Sequence, residues 1–202
     1  MIGVERIFCA LGVALKNGAL SFRDYLDEEH DPLARDRLTR AYNRPQFERR
    51  RQRLRTYALI LLDVDRFKAI NDRFGHDVGD RVLRAVGAAL RISSGDRVFR
   101  VGGEEFAVLL AGCSARDAEK VAARLCATVR KLDLGFPVTV SAGVAWCGDP
   151  AQHETVYRRA DQALYLAKES GRDRVAAFLE AGGRQEGSRG ARRPRGGGRN
   201  RE

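Results

Sequence analysis

The stretch YALILLDV at residues 57–64 decides the fold. It is a continuous apolar run that ends in an acid, the pattern of a central strand buried on both faces. Beyond it, Val82, Leu83, Val86 and Leu90 recur at helical spacing within 78–91. Residues 97–110, RVFRVGGEEFAVLL, give two short β-rich runs around Gly102 and Gly103, which predicts a hairpin with positive φ at its turn. Ser114 and Asp117 form a capping-box-like start to a helix with apolar positions at Ala118, Val121, Ala122, Leu125 and Val129. VTVSAGVAW at 138–146 alternates as a strand; a helix near 154–169 stops at Gly171, and RVAAF at 174–178 is a last short strand. The order β, α, hairpin, α, β, α, β predicts an α/β (α+β) domain, a sheet with helices packed on it.

The chain has 202 residues, room for one globular domain with short extensions but not for two enzyme-sized domains. An apolar fraction of 44% and a charged fraction of 32% exclude a wholly disordered, collagen-like or membrane-spanning chain. Residues 1–35 are expected to form a helical extension, an amphipathic helix over 2–26 built on Ile2, Ile7, Leu11, Leu15 and Phe22. Residues 180–202 are expected to be disordered. From 181 on they carry seven Arg against two Glu, half of the formal +10, so the high charge is a weak argument for nucleic-acid binding. The tail also lacks aromatic residues for base stacking, and no specific nucleic-acid partner is expected. The apolar run Ile7 to Leu15 falls well short of the roughly 20 residues of a membrane helix, so no membrane span is expected. Four cysteines without a CxxC pair fit reduced thiols and a cytoplasmic location.

Charged residues gather at two places. Asp63 and Asp65 are two apart, so in an extended strand both carboxylates project to one side. Glu104 and Glu105 follow the glycine pair. If the hairpin lies beside the 57–64 strand, three or four carboxylates converge, and their repulsion calls for a cation. Oxygen donors without His or Cys point to Mg²⁺ or Mn²⁺. Each motif alone also reads as a helix cap or a solvated turn; together they favour the metal site. In DRFKAINDRFGHDVGD at 65–80, Lys68 is placed to balance a phosphate. Asn71 and Asp80 offer an amide and a carboxylate suited to the edge of guanine, or else serve as helix caps.

DRLTRAYNRPQF (36–47), DVDRFKAINDRFGHDVGD (63–80), GGEEF (102–106), VTVSAGVA (138–145) and ADQALYLAKESGRDR (160–174) together resemble, in order, the GGDEF family of diguanylate cyclases. The resemblance covers 36–178, and the domain is bounded at 36–179. It implies a palm-like nucleotidyl-cyclase fold with a central, mostly antiparallel sheet flanked by helices. It implies condensation of two GTP into cyclic di-GMP with release of pyrophosphate, and a homodimer, since each domain holds one GTP. By the family's pattern Asp63, the backbone carbonyl of Val64 and Glu104 are metal ligands for Mg²⁺ or Mn²⁺. Asn71 and Asp80 are guanine readers. Lys68, Lys168 and Arg172 bind phosphate. Gly102 and Gly103 let the turn approach the nucleotide, and Glu105 is a second metal ligand or general base.

The chain departs from the pattern in places. Arg40, Ala41 and Pro45 replace the usual Gly, Leu and Arg of the first motif. The family's RxxD inhibitory site keeps Asp96 but has Ser93 in place of its Arg, while Arg91 stands two residues away from that position. A catalytically silent GTP or cyclic di-GMP receptor is the alternative to an active cyclase.

Overall fold

The computed structural model describes residues 33–94 and 97–178. The expected helix over 2–26, Asp96 and the Arg/Gly tail lie outside the described residues. In chain order the elements are α1 (Arg44–Arg53), β1 (Tyr57–Val64), α2 (Phe67–Phe74), α3 (His76–Ser94) and β2 (Arg97–Arg100). There follow β3 (Glu105–Ala111), α4 (Ala115–Arg130), β4 (Val140–Cys147), a 3-10 turn at Pro150–Gln152, α5 (His153–Glu169) and β5 (Val175–Ala177).

All eight residues of β1 are buried, as its apolar run requires, and β1 is the middle strand of the order β2-β3-β1-β4-β5. Every pairing is antiparallel except that of β4 with β5. Alternate residues of β1 serve two cores. Ala58, Ile60, Leu62 and Val64 pack with Val82, Val86 and Leu90 of α3 and Ala122, Leu125 and Val129 of α4. Tyr57, Leu59 and Leu61 pack on the other face with Phe47 of α1 and Val156, Ala160 and Leu164 of α5. The sheet is therefore flanked by helices on both faces, the palm-like architecture expected.

Local chemistry sets the ends of the helices. Asn43 caps α1 by accepting from the Gln46 amide at 3.1 Å, with proline in the first turn. Ser114 accepts from the Asp117 amide at 3.1 Å and donates to Asp117 Oδ2 at 2.8 Å, as the capping pattern predicted. α5 ends at Ser170, and Gly171 follows at φ 114°. The 67–74 segment, read from sequence only as a binding stretch, is a helix of its own. Cys126 and Cys147 are buried free thiols and Cys113 is partly buried. No helix among the described residues is long and apolar enough to cross a membrane.

The hairpin turn differs from expectation. The hairpin forms, but neither Gly102 nor Gly103 has a positive φ. The turn is closed by Val101 donating to the Glu105 carbonyl at 3.0 Å and by Arg100 donating to the Gly103 carbonyl, which holds it without left-handed backbone. Conversely Arg40, where the resemblance has Gly, sits at φ 61°. Asp36 secures that turn, accepting from Thr39 N at 2.8 Å and Thr39 Oγ1 at 2.7 Å and pairing with Arg100 at 3.0 Å. Ala41 beside it is fully buried, and at the far end of β4 Trp146 is 45% exposed.

Candidate active site

The dry strand β1 delivers Asp63 to its open end, opposite Glu105 of β3 and Ser141 of β4. Lys168, in the last turn of α5, places its Nζ 2.8 Å from Asp63 Oδ2. Burial pushes the Asp63 carboxyl above its usual range. The hydrogen bond and charge of Lys168 pull it back, Asp65 pushes it up again and Arg172 opposes that. Glu104 is also raised, first by burial, then by Asp63, with Lys168 easing it and Glu105 adding to it. The turn is seated on the strand end by the Val64 N–H, which donates to the Glu104 carbonyl at 3.3 Å. Two carboxylates and one ammonium thus share a single pocket of charge around the backbone of Val64.

The expected convergence of three or four acids does not form. Asp65 is held by three donors, Thr139 Oγ1 at 2.7 Å, Ser141 Oγ at 2.6 Å and the Asp173 amide at 3.0 Å. β1 ends at Val64 and Arg66 is left-handed at φ 55°, so the alternation that put Asp63 and Asp65 on one side stops before it applies. The Glu105 carboxylate lies against Gly102, where any Cβ would collide with it. Gly102 is needed for that close approach, whereas a Cβ on Gly103 would meet open space. Among the described residues no three His, Cys, Asp or Glu side chains gather as a metal cluster. The two acids that could hold a cation are Asp63 and Glu104. Both carry pKa values raised by burial and by a neighbouring acid, a strain that a hard cation relieves.

A second set lies where α2 meets α3. Asn71 Oδ1 is buried and has no hydrogen-bond partner. A Cβ on Gly79 of α3 would fall on that oxygen, so glycine keeps the space open. Asp80 is the next residue, half-exposed and only loosely paired with Arg84 at 3.7 Å. A buried acceptor left unsatisfied is costly, and a ligand donor is the natural remedy. Lys68 is exposed on the first turn of α2, whose N-terminus has no side-chain cap, an arrangement open to anions. Neither Asn71 nor Asp80 is a helix cap.

Arg172 follows α5 at φ 64°, its amide donating to the Ala167 carbonyl at 3.0 Å. Ser93 is helical, within α3, and its hydroxyl meets Thr128 Oγ1 of α4 at 3.3 Å. Arg91, two residues away, lies toward Arg35 and Arg40, whose charges together with burial lower its pKa. Residues two apart on a helix face different ways, so Arg91 and Ser93 project from different sides of α3. Sequence reasoning missed the structural role of Asp65 and the contact of Asn71 with Gly79. The second had a signal, a glycine inside a helix beside a candidate ligand.

The family model for "Diguanylate cyclase, GGDEF domain" matches residues 33–174. The chain is 39% identical over 177 residues to the uncharacterized protein YhcK of Bacillus subtilis, covering 79% of this chain and 48% of that one. It is 35% identical over 177 residues to the diguanylate cyclase DgcP of Pseudomonas aeruginosa, covering 80% of this chain and 26% of DgcP. The chain therefore spans about half, or less, of the length of these relatives. Its fold is similar to the GGDEF domain of DgcB from Caulobacter crescentus, solved in complex with c-di-GMP, at 33% identity and a TM-score of 0.67, covering 72% of this chain and 93% of that one.

Replacing Lys168 by Met removes the ammonium bonded to Asp63. The Asp63 carboxyl should then titrate at higher pH than in the parent, and Glu104 with it, because the charge favouring ionisation is gone. Carbon-13 NMR of the carboxyl groups reads this directly. An unmoved or lowered Asp63 midpoint would show that Lys168 does not set its charge.

Proposed function

Since the chain belongs to the GGDEF family, we propose that it is a diguanylate cyclase, condensing two GTP into cyclic di-GMP with release of pyrophosphate. The observation that carries this reading is the acid pair Asp63 and Glu104, with Lys168 2.8 Å from Asp63, a charge set suited to a cation and the triphosphate it binds. Asp63, Glu104 and the Val64 carbonyl would hold Mg²⁺ or Mn²⁺, which when bound supplies charge stabilisation at the α-phosphate and a more acidic 3′-hydroxyl.

The chain's own residues bind and orient the nucleotide. Asn71 Oδ1 accepts from an N–H of guanine and the Asp80 carboxylate takes the adjacent donor, a pairing that adenine cannot supply. Lys68 and the open N-terminus of α2 receive phosphate oxygens. Lys168 and Arg172 neutralise charge on the departing pyrophosphate. Glu105, lying against Gly102, is less well placed than Glu104 to hold a cation and helps set the negative field there. One domain presents one such set, so two copies meet face to face in a homodimer for both bonds to form.

Incubation with GTP and Mg²⁺ followed by nucleotide chromatography tests the activity; GTP binding without cyclic di-GMP would favour the silent receptor. In Glu104→Gln the shape is kept and the charge lost, so turnover should fall by several orders of magnitude with an unchanged melting curve. Near-normal turnover would remove Glu104 from the site. Gly79→Ala separates binding from stability. Alanine favours the helix by up to about 1 kcal/mol, yet its Cβ displaces Asn71, so calorimetry should show GTP affinity at least about tenfold weaker, some 1.4 kcal/mol, with no loss of melting temperature. Unaltered affinity would place the base elsewhere. With Ser93 turned to α4, micromolar cyclic di-GMP should leave progress curves essentially unchanged; strong inhibition abolished by Arg91→Ala would overturn this.

A further inference from the structure

Residues 171–173 form a turn in which three consecutive residues are left-handed, Gly171 at φ 114°, Arg172 at 64° and Asp173 at 49°. For the two non-glycine residues this conformation costs on the order of 1 kcal/mol or more each. Such backbone persists only where its surroundings over-determine it. The Gly171 and Arg172 amides donate to the Lys168 and Ala167 carbonyls at 3.3 and 3.0 Å, Arg174 Nε donates to the Arg172 carbonyl at 2.9 Å, and two side-chain anchors act on Asp173.

The inner anchor is Asp65, 7% exposed, whose Oδ2 accepts from the Asp173 amide at 3.0 Å. Thr139 Oγ1 and Ser141 Oγ also donate to it, which ties the carboxylate to the start of β4. The outer anchor is Arg130, at the end of α4. Its Nε donates to Asp173 Oδ2 at 2.9 Å and its NH2 group to Oδ1 at 2.8 Å, a fork on the carboxylate, with a longer contact to the Asp173 carbonyl at 3.4 Å. The inner contacts are shielded, whereas the outer pair is open to solvent, with side chains 51% and 34% exposed. Between Asp173 and the end of α5 stands Arg172.

We propose that Asp173, clamped between Asp65 and Arg130, is a positioning residue that presents Arg172 to the triphosphate, with Arg130 as the outer strut of the clamp. The proposal rests on the reading of Arg172 as a phosphate-binding residue. Arg130 touches no reacting atom, and its effect on catalysis passes through the shape of the turn. An isolated exposed ion pair contributes little to global stability. Its loss therefore loosens the turn without unfolding the domain, and salt weakens the strut before it weakens the inner anchor.

The test compares the full chain with Arg130→Ala and Arg130→Lys in three measurements. They are steady-state kinetics with GTP and Mg²⁺, affinity for a non-hydrolysable GTP analogue, and hydrogen–deuterium exchange of the peptide covering 168–176. In Arg130→Ala, KM and the analogue's Kd should rise about three- to tenfold, kcat should stay within about twofold, and the peptide should exchange severalfold faster; Arg130→Lys should recover part of each change. Unchanged exchange overturns the clamp. Faster exchange with unchanged KM and Kd overturns the link to Arg172, and weaker binding with unchanged exchange overturns the positioning role by placing Arg130 on the nucleotide itself. If the parent binds the analogue but makes no cyclic di-GMP, the cyclase reading fails alone, and Kd with exchange still decides the clamp. If the parent binds no analogue, the phosphate role of Arg172 fails and the proposal with it.

Discussion

The pair formed by Asp63 and Lys168 is the point on which the arrangement turns. A strand with no solvent contact ends in a carboxylate, and leaving that charge alone at the edge of the core would be costly. Lys168 meets it at 2.8 Å, which fixes the last turn of α5 over the end of β1. The same strand end receives the hairpin, through Val64 donating to the Glu104 carbonyl, and so brings a second acid to the first. Sheet, hairpin and helix are thereby registered at one place by the need to compensate one buried charge. The acids remain under tension, since burial still holds both Asp63 and Glu104 above their ordinary range.

Much of this was legible in the sequence because burial leaves a mark on composition. The apolar run at 57–64 marked a strand buried on both faces, as β1 is, whereas its register with β3 and β4 had no local signal. The hairpin, the serine cap of α4 and the glycine after α5 announced themselves through residue types with narrow conformational uses. What remained hidden had a common cause. The partners of Asp65 lie 74, 76 and 108 residues away, and no local pattern reports contacts that only the closed sheet creates. Strand alternation would carry Asp65 to the side of Asp63 only if β1 ran one residue further than it does. The glycine pair at 102–103 shows a different ambiguity, since a glycine required by a neighbouring side chain looks the same in sequence as one required by its own φ.

The positions where local preference is violated lie close to the chemistry or to its supports. Arg66, Arg172 and Asp173 are left-handed beside the acid pair, and the helix interior at Gly79 gives up a side chain to leave room at Asn71. Each is a small loss in stability that is offset by the two-sided core. Arg40 is the exception: it bears the same backbone strain, its side chain is exposed, and the turn is held instead by the carboxylate of Asp36.

Trp146 gives the molecule an optical property. It is the chain's single tryptophan, 45% exposed, and the β1–β4 register sets it opposite Ala58, five residues along β1 from Asp63. At about 3.3 Å per residue its backbone is roughly 17 Å along the sheet from that of Asp63. Its emission is therefore partly relaxed by water in the native state. Intrinsic fluorescence excited at the red edge of the indole band thus reports the integrity of the β1–β4 seam at the end opposite the acid pair.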